Sequence, residues 1–257
     1  MTPNTTVSIV SHGHGALIAE LLSDIDKWVA RPLEIILTIN VPEPEQFLAN
    51  RSTKHRIEVI RNASPKGFGA NHNAALARTT NEFFCVLNPD IRFSSDPFAQ
   101  LVNLVSNATI GVAAPVVTDP HFAVEDHARQ FPSVFSMLSK VFGSRPRSPA
   151  PAGKTVYYPD WVAGMCMLFR TQVVRSVGGF DEGYFLYYED VDLCARLRRN
   201  GFQIAVCSTV SIVHAARRES RKNLRFARWH LSSAMRYLCS HPRMALGLYR
   251  RPQGSEQ

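Results

Sequence analysis

Long apolar runs and paired cysteines are both missing from this sequence of 257 residues. No segment approaches the roughly 18 consecutive apolar residues that suggest a membrane-spanning helix. The first ten residues also lack the basic start and apolar core of a secretory signal peptide. The five cysteines lie far apart and form no Cys-x-x-Cys pair, which is typical of reduced thiols in a protein core. We therefore expect a cytoplasmic protein without a disulfide framework or a transmembrane segment.

Acidic residues are scarce at the C-terminal end, and this makes the charge of the chain uneven. The formal net charge is +8, and ten of the 29 Lys and Arg residues lie after Val213, against two of the 21 Asp and Glu residues. A basic block of this kind can face nucleic acid, anionic lipid or a phosphorylated ligand. Because no nucleic-acid-binding motif is readable, we predict no nucleic-acid partner.

Apolar runs typical of buried strands alternate with helical patterns in the first half of the chain. The predicted strands are 7–11, 33–40, 57–61 and 83–87, with helices after the first and third. This order predicts an α/β fold with a mostly parallel central sheet flanked by helices. Ligands of such sheets gather at the carboxyl ends of strands, where Asn40, Asp90 and His12 would lie.

The second half of the chain is less regular. A helix at 97–106 and a strand at 112–116 precede a proline-rich excursion, 118–159, which we expect to cross the functional face. A strand at 161–170 and two short strands, 203–207 and 211–214, complete a domain that we place at 1–214. Residues 215–257 would form a basic helical appendage, whose helix shows an apolar stripe at helical spacing. Its members are Leu224, Ala227, Leu231, Ala234 and Leu238.

The segment 178–201, GGFDEGYFLYYEDVDLCARLRRNG, combines an aromatic run with a group of acids. Five aromatic residues precede Glu189, Asp190 and Asp192, and these acids begin a helical pattern. Acids at the start of a helix suit its dipole, which alone explains many such groups. The aromatics indicate more, because aromatic walls around carboxylates are typical of a pocket for a sugar or a base.

Asp90 and His214 are further candidates, and each has a structural alternative. Asp90 ends an Asn-Pro-Asp turn after a predicted strand, which suits a turn former as well as a ligand for a divalent cation. A single histidine at a strand end is more often structural, but His214, Asp90 and a diphosphate together would suit Mn²⁺ or Mg²⁺. Asp190, beside the aromatics, suits a general base acting on a hydroxyl.

Taken together, these motifs resemble those of family 2 glycosyltransferases, which are inverting enzymes with the GT-A fold. The resemblance rests on GFGANHN, LNPD, the W-x-x-G of Trp161–Gly164, the 178–201 segment and the later His214. It extends from residue 7 to about residue 237. Within the family, the chain is most similar to the bacterial rhamnosyltransferase-type group that acts on cell-surface polysaccharides.

The resemblance implies a role for each matching residue. Asp190 would be the catalytic base with Glu189 in support, and Asp90 and His214 would hold the metal. The implied donor-binding residues are Ser11, Asn40, Lys66, Gly67, Asn71, Asn88, Asp90 and Arg221. The implied acceptor-binding residues are Trp161, Gly164, Tyr187 and Tyr188.

The implied reaction transfers a sugar, with inversion, from a nucleotide-diphospho-sugar to a hydroxyl of a glycan or lipid-linked acceptor. The subgroup favours dTDP-rhamnose as the donor, and the cofactor would be Mn²⁺ or Mg²⁺. Arginines after His214, among them Arg221, would bind diphosphate oxygens. Two alternatives remain for the basic helix: peripheral contact with the anionic inner face of the membrane, or packing on the domain through its leucine stripe.

Two stretches depart from the family pattern, besides Asn88, which many relatives of this group share. Relatives have Asp-Asn-x-Ser after the second strand, but this chain has Ile39-Asn40-Val41-Pro42, so the acid that contacts the nucleotide is missing. Asn88 replaces the first acid of the Asp-x-Asp motif, and Ser11-His12-Gly13-His14 replaces a Thr-Tyr-Asn-like run. The missing acid and Asn88 favour a second hypothesis, a non-catalytic relative that binds a nucleotide sugar or scaffolds the same pathway.

Overall fold

The computed structural model describes residues 4–49, 54–141, 153–215 and 224–249, which form a central sheet with helices on both faces. The first half contains β1 (Thr5–Ser11), α1 (Gly15–Trp28), β2 (Glu34–Ile39), β3 (Arg56–Arg61), α2 (Phe68–Arg78), β4 (Phe83–Leu87), β5 (Ile91–Arg92), α3 (Phe98–Val105) and β6 (Ile110–Thr118). The second half contains β7 (Ala128–Arg129), α4 (Val134–Val141), β8 (Val156–Tyr157), β9 (Trp161–Val162), β10 (Cys166–Arg170), α5 (Thr171–Ser176), α6 (Glu189–Arg199), β11 (Gln203–His214), α7 (Leu224–Ser240) and α8 (Pro242–Ala245).

Within the described residues, nine strands form one sheet in the order β3-β2-β1-β4-β10-β6-β11-β5, with β8 paired to β11. Strands β1, β2, β3, β4, β6 and β11 run in one direction, and β5, β8 and β10 run against them. The prediction of an α/β fold with a mostly parallel sheet is therefore confirmed.

The central strands are apolar throughout because both of their faces are covered. In β4, Phe83, Cys85 and Leu87 pack into the core under α1 and α3. Phe84 and Val86 of the same strand pack into the opposite core, under α2, α5 and α6. A strand buried on both faces requires such a continuous apolar run, which explains why FFCVL shows no alternation.

Two local predictions were wrong. The predicted strand 161–170 is broken into β9 and β10 by a turn at 163–165, and the two short strands after 203 are one strand with an irregularity between Cys207 and Ser211. The leucine stripe of α7, for which packing on the domain was one of two alternatives, is divided: Leu231 is 66% exposed, whereas Leu238 is half-buried and packs on the core.

Two regions singled out by the sequence lie partly outside the described residues. The excursion 118–159 contributes β7, α4 and β8, but 142–152 are outside. Arg221 lies in the outside range 216–223. Among the residues that the structure describes, no helix is long and apolar enough to cross a membrane.

Candidate active site

Asp90 and His214 are brought together by the pairing of β5 with β11. His214 lies opposite Ile91 in this antiparallel pair, and the amide of Ala215 donates to the carbonyl of Asp90 at 2.8 Å. As a result, Nε2 of His214 lies 3.1 Å from Oδ2 of Asp90. The other ring nitrogen, Nδ1, lies 2.8 Å from Oε2 of Glu125, which the sequence did not single out.

The charge around His214 favours the protonated ring. Burial alone would lower the pKa of His214, but the hydrogen bonds and charges of Asp90 and Glu125 raise it to about 9. In the protein without ligand, the ring is therefore an imidazolium between two carboxylates at neutral pH. A cation that binds to Nε2 would have to displace one proton from it.

The Asp90 side chain fits a divalent cation. Its Oδ1 is buried and has no hydrogen-bond partner among the described residues. A buried carboxylate oxygen without a partner is costly, and a metal ion is one way to satisfy it. Carboxylate and imidazole are both ligands that Mn²⁺ accepts. No cluster of three or more His, Cys, Asp or Glu side chains with metal-binding geometry occurs in 4–49, 54–141, 153–215 or 224–249, so a cation here needs oxygens from a ligand or water.

Glu189 and Asp190 begin α6, but their side chains have different surroundings. Glu189 is only 5% exposed, and its Oε2 has no hydrogen-bond partner within the described chain. Asp190 is half-buried, and its carboxylate accepts from the amide of Gly164 at 3.0 Å and from that of Val191 at 2.8 Å. Asp190 is therefore the oriented member of the pair.

Burial also shifts the pKa values of both carboxyls. Burial, reinforced by the charge of Asp190, raises the pKa of Glu189 to about 8. Burial also raises the pKa of Asp190, and the amides of Gly164 and Val191 and the charge of Arg129 partly offset this. At neutral pH, a pKa of about 8 leaves Glu189 mostly protonated, while the amide hydrogen bonds to Asp190 favour its ionised form.

A turn between β9 and β10 connects Asp190 with the Asn-Pro-Asp turn. Gly164 donates its amide to Asp190, and the carbonyl of the next residue, Met165, accepts from the amide of Asn88 at 2.9 Å. Gly164 permits close contact with the ring of Phe68, which a Cβ at this position would approach to 2.9 Å. Asp190 is thus connected to Asn88 through the backbone of Gly164 and Met165, with one hydrogen bond at each end.

The backbone immediately before Glu189 is in an unusual conformation. Tyr187 and Tyr188 have φ of 72° and 67°, in the left-handed region that non-glycine residues rarely adopt. Each such residue costs on the order of 1–3 kcal/mol, and the surrounding contacts must hold it. His230 of α7 supplies part of them, since its ring centroid lies 5.4 Å from that of Tyr187 and 5.3 Å from that of Tyr188.

Helix α7 contacts this aromatic segment along its buried face. Trp229 stacks on Phe185 with ring centroids 4.7 Å apart, and the hydroxyl of Ser233 donates to the carbonyl of Leu186 at 2.9 Å. Farther along, Tyr237 packs against Tyr188 at 5.6 Å. The described part of the basic segment therefore packs directly against the residues that precede the acid pair.

Several predicted donor-binding residues form a hydrogen-bonded network with one another. Oδ1 of Asn40 accepts from the amide of Lys66 at 2.8 Å and from Asn62 at 2.9 Å, while its Nδ2 donates to the Lys66 carbonyl at 3.0 Å. Asn71 donates to the carbonyls of Lys66 and Gly67. Both ends of the Asn40 amide are therefore used to hold the Lys66-Gly67 loop.

The loop is also pressed against the acceptor-side segment. A Cβ at Gly67 would lie 2.7 Å from the carbonyl oxygen of Phe185, and the amide of Phe68 donates to that same oxygen at 2.9 Å. Gly67 thus permits close contact between the two predicted halves of the site. Ser11, at the end of β1, is buried and accepts from the amide of His14 at 3.1 Å.

Two residues of the candidate site, Arg129 beside Asp190 and Glu125 beside His214, carried no readable signal in the sequence. Arg129 in β7 lies with its guanidinium 5.9 Å from the ring of Trp161, and it is one of the charges acting on Asp190. The indole of Trp161 itself donates to the carbonyl of Gln130 at 3.0 Å. Arg129 and Glu125 both belong to the proline-rich excursion, where no periodicity marks the residues that turn inward.

A model of the family described as Glycosyltransferase like family 2 matches residues 3–231. The chain belongs to glycosyltransferase family 2. It is 29% identical to rhamnosyltransferase WbbL of Escherichia coli over 246 residues, which cover 90% of this chain and 91% of that protein. It is 25% identical to an N-acetylglucosaminyl-diphospho-decaprenol L-rhamnosyltransferase of Mycobacterium tuberculosis, covering 83% of this chain and 76% of that one. The resemblance drawn from the motifs is confirmed.

Solved structures support the GT-A fold of this family 2 chain. A mannosyltransferase from Pyrobaculum calidifontis in complex with GDP-Man and Mn²⁺ has a TM-score of 0.66 at 15% identity, covering 97% of this chain and 70% of that one. GalNAc-T7 with UDP, GalNAc and Mn²⁺ has a TM-score of 0.66 at 14% identity, covering 86% of this chain and 44% of that one. At these identities the likeness concerns the fold alone.

Proposed function

We propose that this glycosyltransferase moves L-rhamnose, with inversion, from dTDP-rhamnose to a hydroxyl of a glycan or lipid-linked acceptor in cell-surface polysaccharide synthesis. The observation that carries the proposal is the turn at Gly164-Met165, which joins Asp190 to the Asn-Pro-Asp turn by two hydrogen bonds. These bonds attach the Asp190 carboxylate and the Asn-Pro-Asp turn, which would bind the diphosphate, to the same backbone segment. The choice of rhamnose rests on the two rhamnosyltransferase relatives.

Asp190 acts as the general base. It takes the proton of the acceptor hydroxyl, and the freed oxygen attacks the anomeric carbon from the face opposite the diphosphate. The bond from that carbon to the diphosphate breaks, and the nucleotide diphosphate leaves with the electron pair. Burial favours this role because the raised pKa of Asp190 makes it a stronger base, while neutral Glu189 adds no competing charge.

Asp90 and His214 would hold a divalent cation, Mn²⁺ or Mg²⁺, that neutralises charge on the departing diphosphate. The chain supplies one carboxylate oxygen without a partner and one imidazole nitrogen, and diphosphate oxygens would complete the set. Asn88 and Asp90 would position the diphosphate, with Lys66 and Arg221 as basic donor contacts. Trp161, Tyr187 and Tyr188 would line the acceptor side.

The exposed face of α7 would rest on an anionic membrane surface, where lipid-linked acceptors are held. Leu231 and Met235 are 66% and 54% exposed, and they share a helix face with the exposed Arg228. Leu246 and Leu248, beyond α8, are also 55% and 66% exposed. Apolar side chains flanked by basic ones are typical of helices that lie in the membrane interface.

The direct test is transfer from a panel of nucleotide sugars with Mn²⁺ to a lipid-diphosphate-linked GlcNAc acceptor. We expect product with dTDP-rhamnose, dependence on the cation, and an inverted anomeric configuration by NMR. Retention of configuration would contradict the role of Asp190. Nucleotide-sugar binding without any transfer would instead support the non-catalytic alternative.

A further inference from the structure

Glu125 has a contact that the proposed reaction does not use. Its Oε2 lies 2.8 Å from Nδ1 of His214, on the opposite side of the imidazole from Asp90. The side chains of Glu125 and His214 are both partly buried, at 26% and 17% exposure. The ring is thus held at both nitrogens, and one of the two carboxylates comes from the proline-rich excursion.

The backbone of Glu125 is fixed independently of its side chain. A tight hairpin returns the chain to the end of β6, where the Glu125 amide donates to the Val117 carbonyl at 2.8 Å. The carboxylate of Asp119 stabilises the turn by accepting from the amides of His121 and Ala123 at 2.8 and 2.9 Å. The carbonyl of Glu125 accepts from the amide of His127 at 3.0 Å. Removal of the Glu125 carboxylate alone should therefore leave the hairpin in place.

The sheet brings the hairpin to His214. Strands β6 and β11 are parallel neighbours, with Thr118 opposite Val213, and the hydroxyl of Thr118 donates to the Ile212 carbonyl at 3.3 Å. Glu125 leaves the end of β6 while His214 ends β11, so the two side chains meet at one sheet edge. Asp90 reaches the same edge through the pairing of β5 with β11.

We propose that Glu125 is a positioning residue for the cation site, because it accepts the Nδ1 proton of His214 and so directs Nε2 toward Asp90. A histidine that binds a metal through one nitrogen usually donates the other N–H to a carboxylate or carbonyl, which fixes the ring and increases its basicity. The inference rests on the proposed roles of Asp90 and His214. It assigns Glu125 no contact with substrate.

The test measures Mn²⁺ binding rather than turnover. Free Mn²⁺ is followed by electron paramagnetic resonance during titration of the protein with dTDP present, for the wild type, Glu125→Ala, Glu125→Gln and Glu58→Ala. Glu58, on β3, forms a surface ion pair with Arg78 of α2, so Glu58→Ala controls for the loss of one negative charge. We expect Glu125→Ala to bind Mn²⁺ about 10–100-fold more weakly. Glu125→Gln should recover most of the affinity because its amide oxygen can accept the same proton.

A spectroscopic readout separates orientation from general loosening. Spin-echo modulation from an imidazole ¹⁴N should accompany bound Mn²⁺ in the wild type and Glu125→Gln and weaken in Glu125→Ala. Wild-type protein that binds no Mn²⁺ would overturn the metal assignment itself, and this inference with it. Normal Mn²⁺ affinity and ¹⁴N modulation in Glu125→Ala would overturn only the role of Glu125. Equal loss in the Gln and Ala variants would also overturn it, and the Gln variant decides if the Ala variant does not fold.

Discussion

At the scale of single residues, the proposed reaction depends most on the side chain of Asp190, as the general base. We expect Asp190→Asn to lower transfer by at least ~10²-fold, the smaller end of what a general base contributes. The fold should persist because the Asn oxygen can still accept from the amide of Gly164. Initial rates with saturating donor and acceptor would measure the loss, and circular dichroism would check the fold.

Glu182→Gln is the matched control for this substitution. Glu182 is an exposed acid of the same segment, and Gln can keep its hydrogen bond with Asn73. Its rate should equal that of the wild type. Near-normal transfer by Asp190→Asn would assign the base to another group.

Glu189 gives a prediction for stability against pH. Its pKa is raised from an ordinary value of 4.5 to about 8 in the folded protein, chiefly by burial. Between these values the folded protein keeps a proton that the unfolded chain has lost, so this group's contribution to stability falls as the pH rises. Glu189→Gln imitates the protonated form at every pH. As the pH rises from about 5 to about 8, the Tm of the variant, measured by calorimetry, should therefore fall less than that of the wild type.

The contrast with Glu182→Gln isolates the buried group. Because Glu182 is exposed, its variant should follow the wild-type curve of Tm against pH. Parallel curves for Glu189→Gln and the wild type would mean that Glu189 is already ionised in the folded protein.

The sequence predicted individual residues where a motif marks them, and it missed those that only the fold brings together. Asp90 and Asp190 were selected by their places after a strand and at the start of a helix, whereas the role predicted for His214 came from the family resemblance. Glu125 has no such mark because its contact with His214 spans 89 positions and depends on the pairing of β6 with β11. The donor contact predicted for Asn40 from its position at a strand end stays a prediction, and in the structure its amide is hydrogen-bonded to the Lys66 backbone.

At the scale of elements, α7 shows why periodicity alone did not identify the buried face. Its leucines and its aromatics both recur at helical spacing, so the segment that packs against the helix determines which of the two sets is buried. Here the partner is the aromatic run 184–188, which contacts Trp229 and Tyr237 by ring stacking and leaves Leu231 exposed. Local propensity predicted the helix, and tertiary contact selected its face.

Tyr237 gives the corresponding prediction for the helix. Its ring is completely buried, so Tyr237→Ala should lower the free energy of unfolding by about 3–5 kcal/mol, as for other large aromatic deletions. Its hydroxyl has no hydrogen-bond partner within the described residues, so Tyr237→Phe should change stability little. Urea unfolding monitored by fluorescence would measure both.

Met235→Ala is the control on the opposite side of α7. Met235 is 54% exposed, and its loss should cost less than about 0.5 kcal/mol. If Met235→Ala lowered the free energy of unfolding as much as Tyr237→Ala, the side of α7 that carries Leu231 and Met235 would be the packed side.

At the scale of the whole molecule, the charge and the exposed apolar residues lie at the same end of the chain. All of the excess positive charge follows Val213, and four exposed large apolar residues, Leu231, Met235, Leu246 and Leu248, lie in the same region. The rest of the chain is formally neutral. In the proposed membrane contact, this segment would supply both the basic and the apolar residues, and on its other side the same helix contacts Tyr187 and Tyr188 through His230.

We therefore expect binding to vesicles that contain anionic lipid, measured by sedimentation, and little binding to neutral vesicles. Added salt should weaken it because screened charges attract the surface less. The double substitution Leu231→Ser and Met235→Ser should reduce binding without lowering Tm, since both side chains are exposed. Phe122→Ser removes an 80% exposed aromatic at a hairpin tip and serves as the control. An equal loss in that control, or salt-insensitive binding, would show that α7 does not provide the membrane contact.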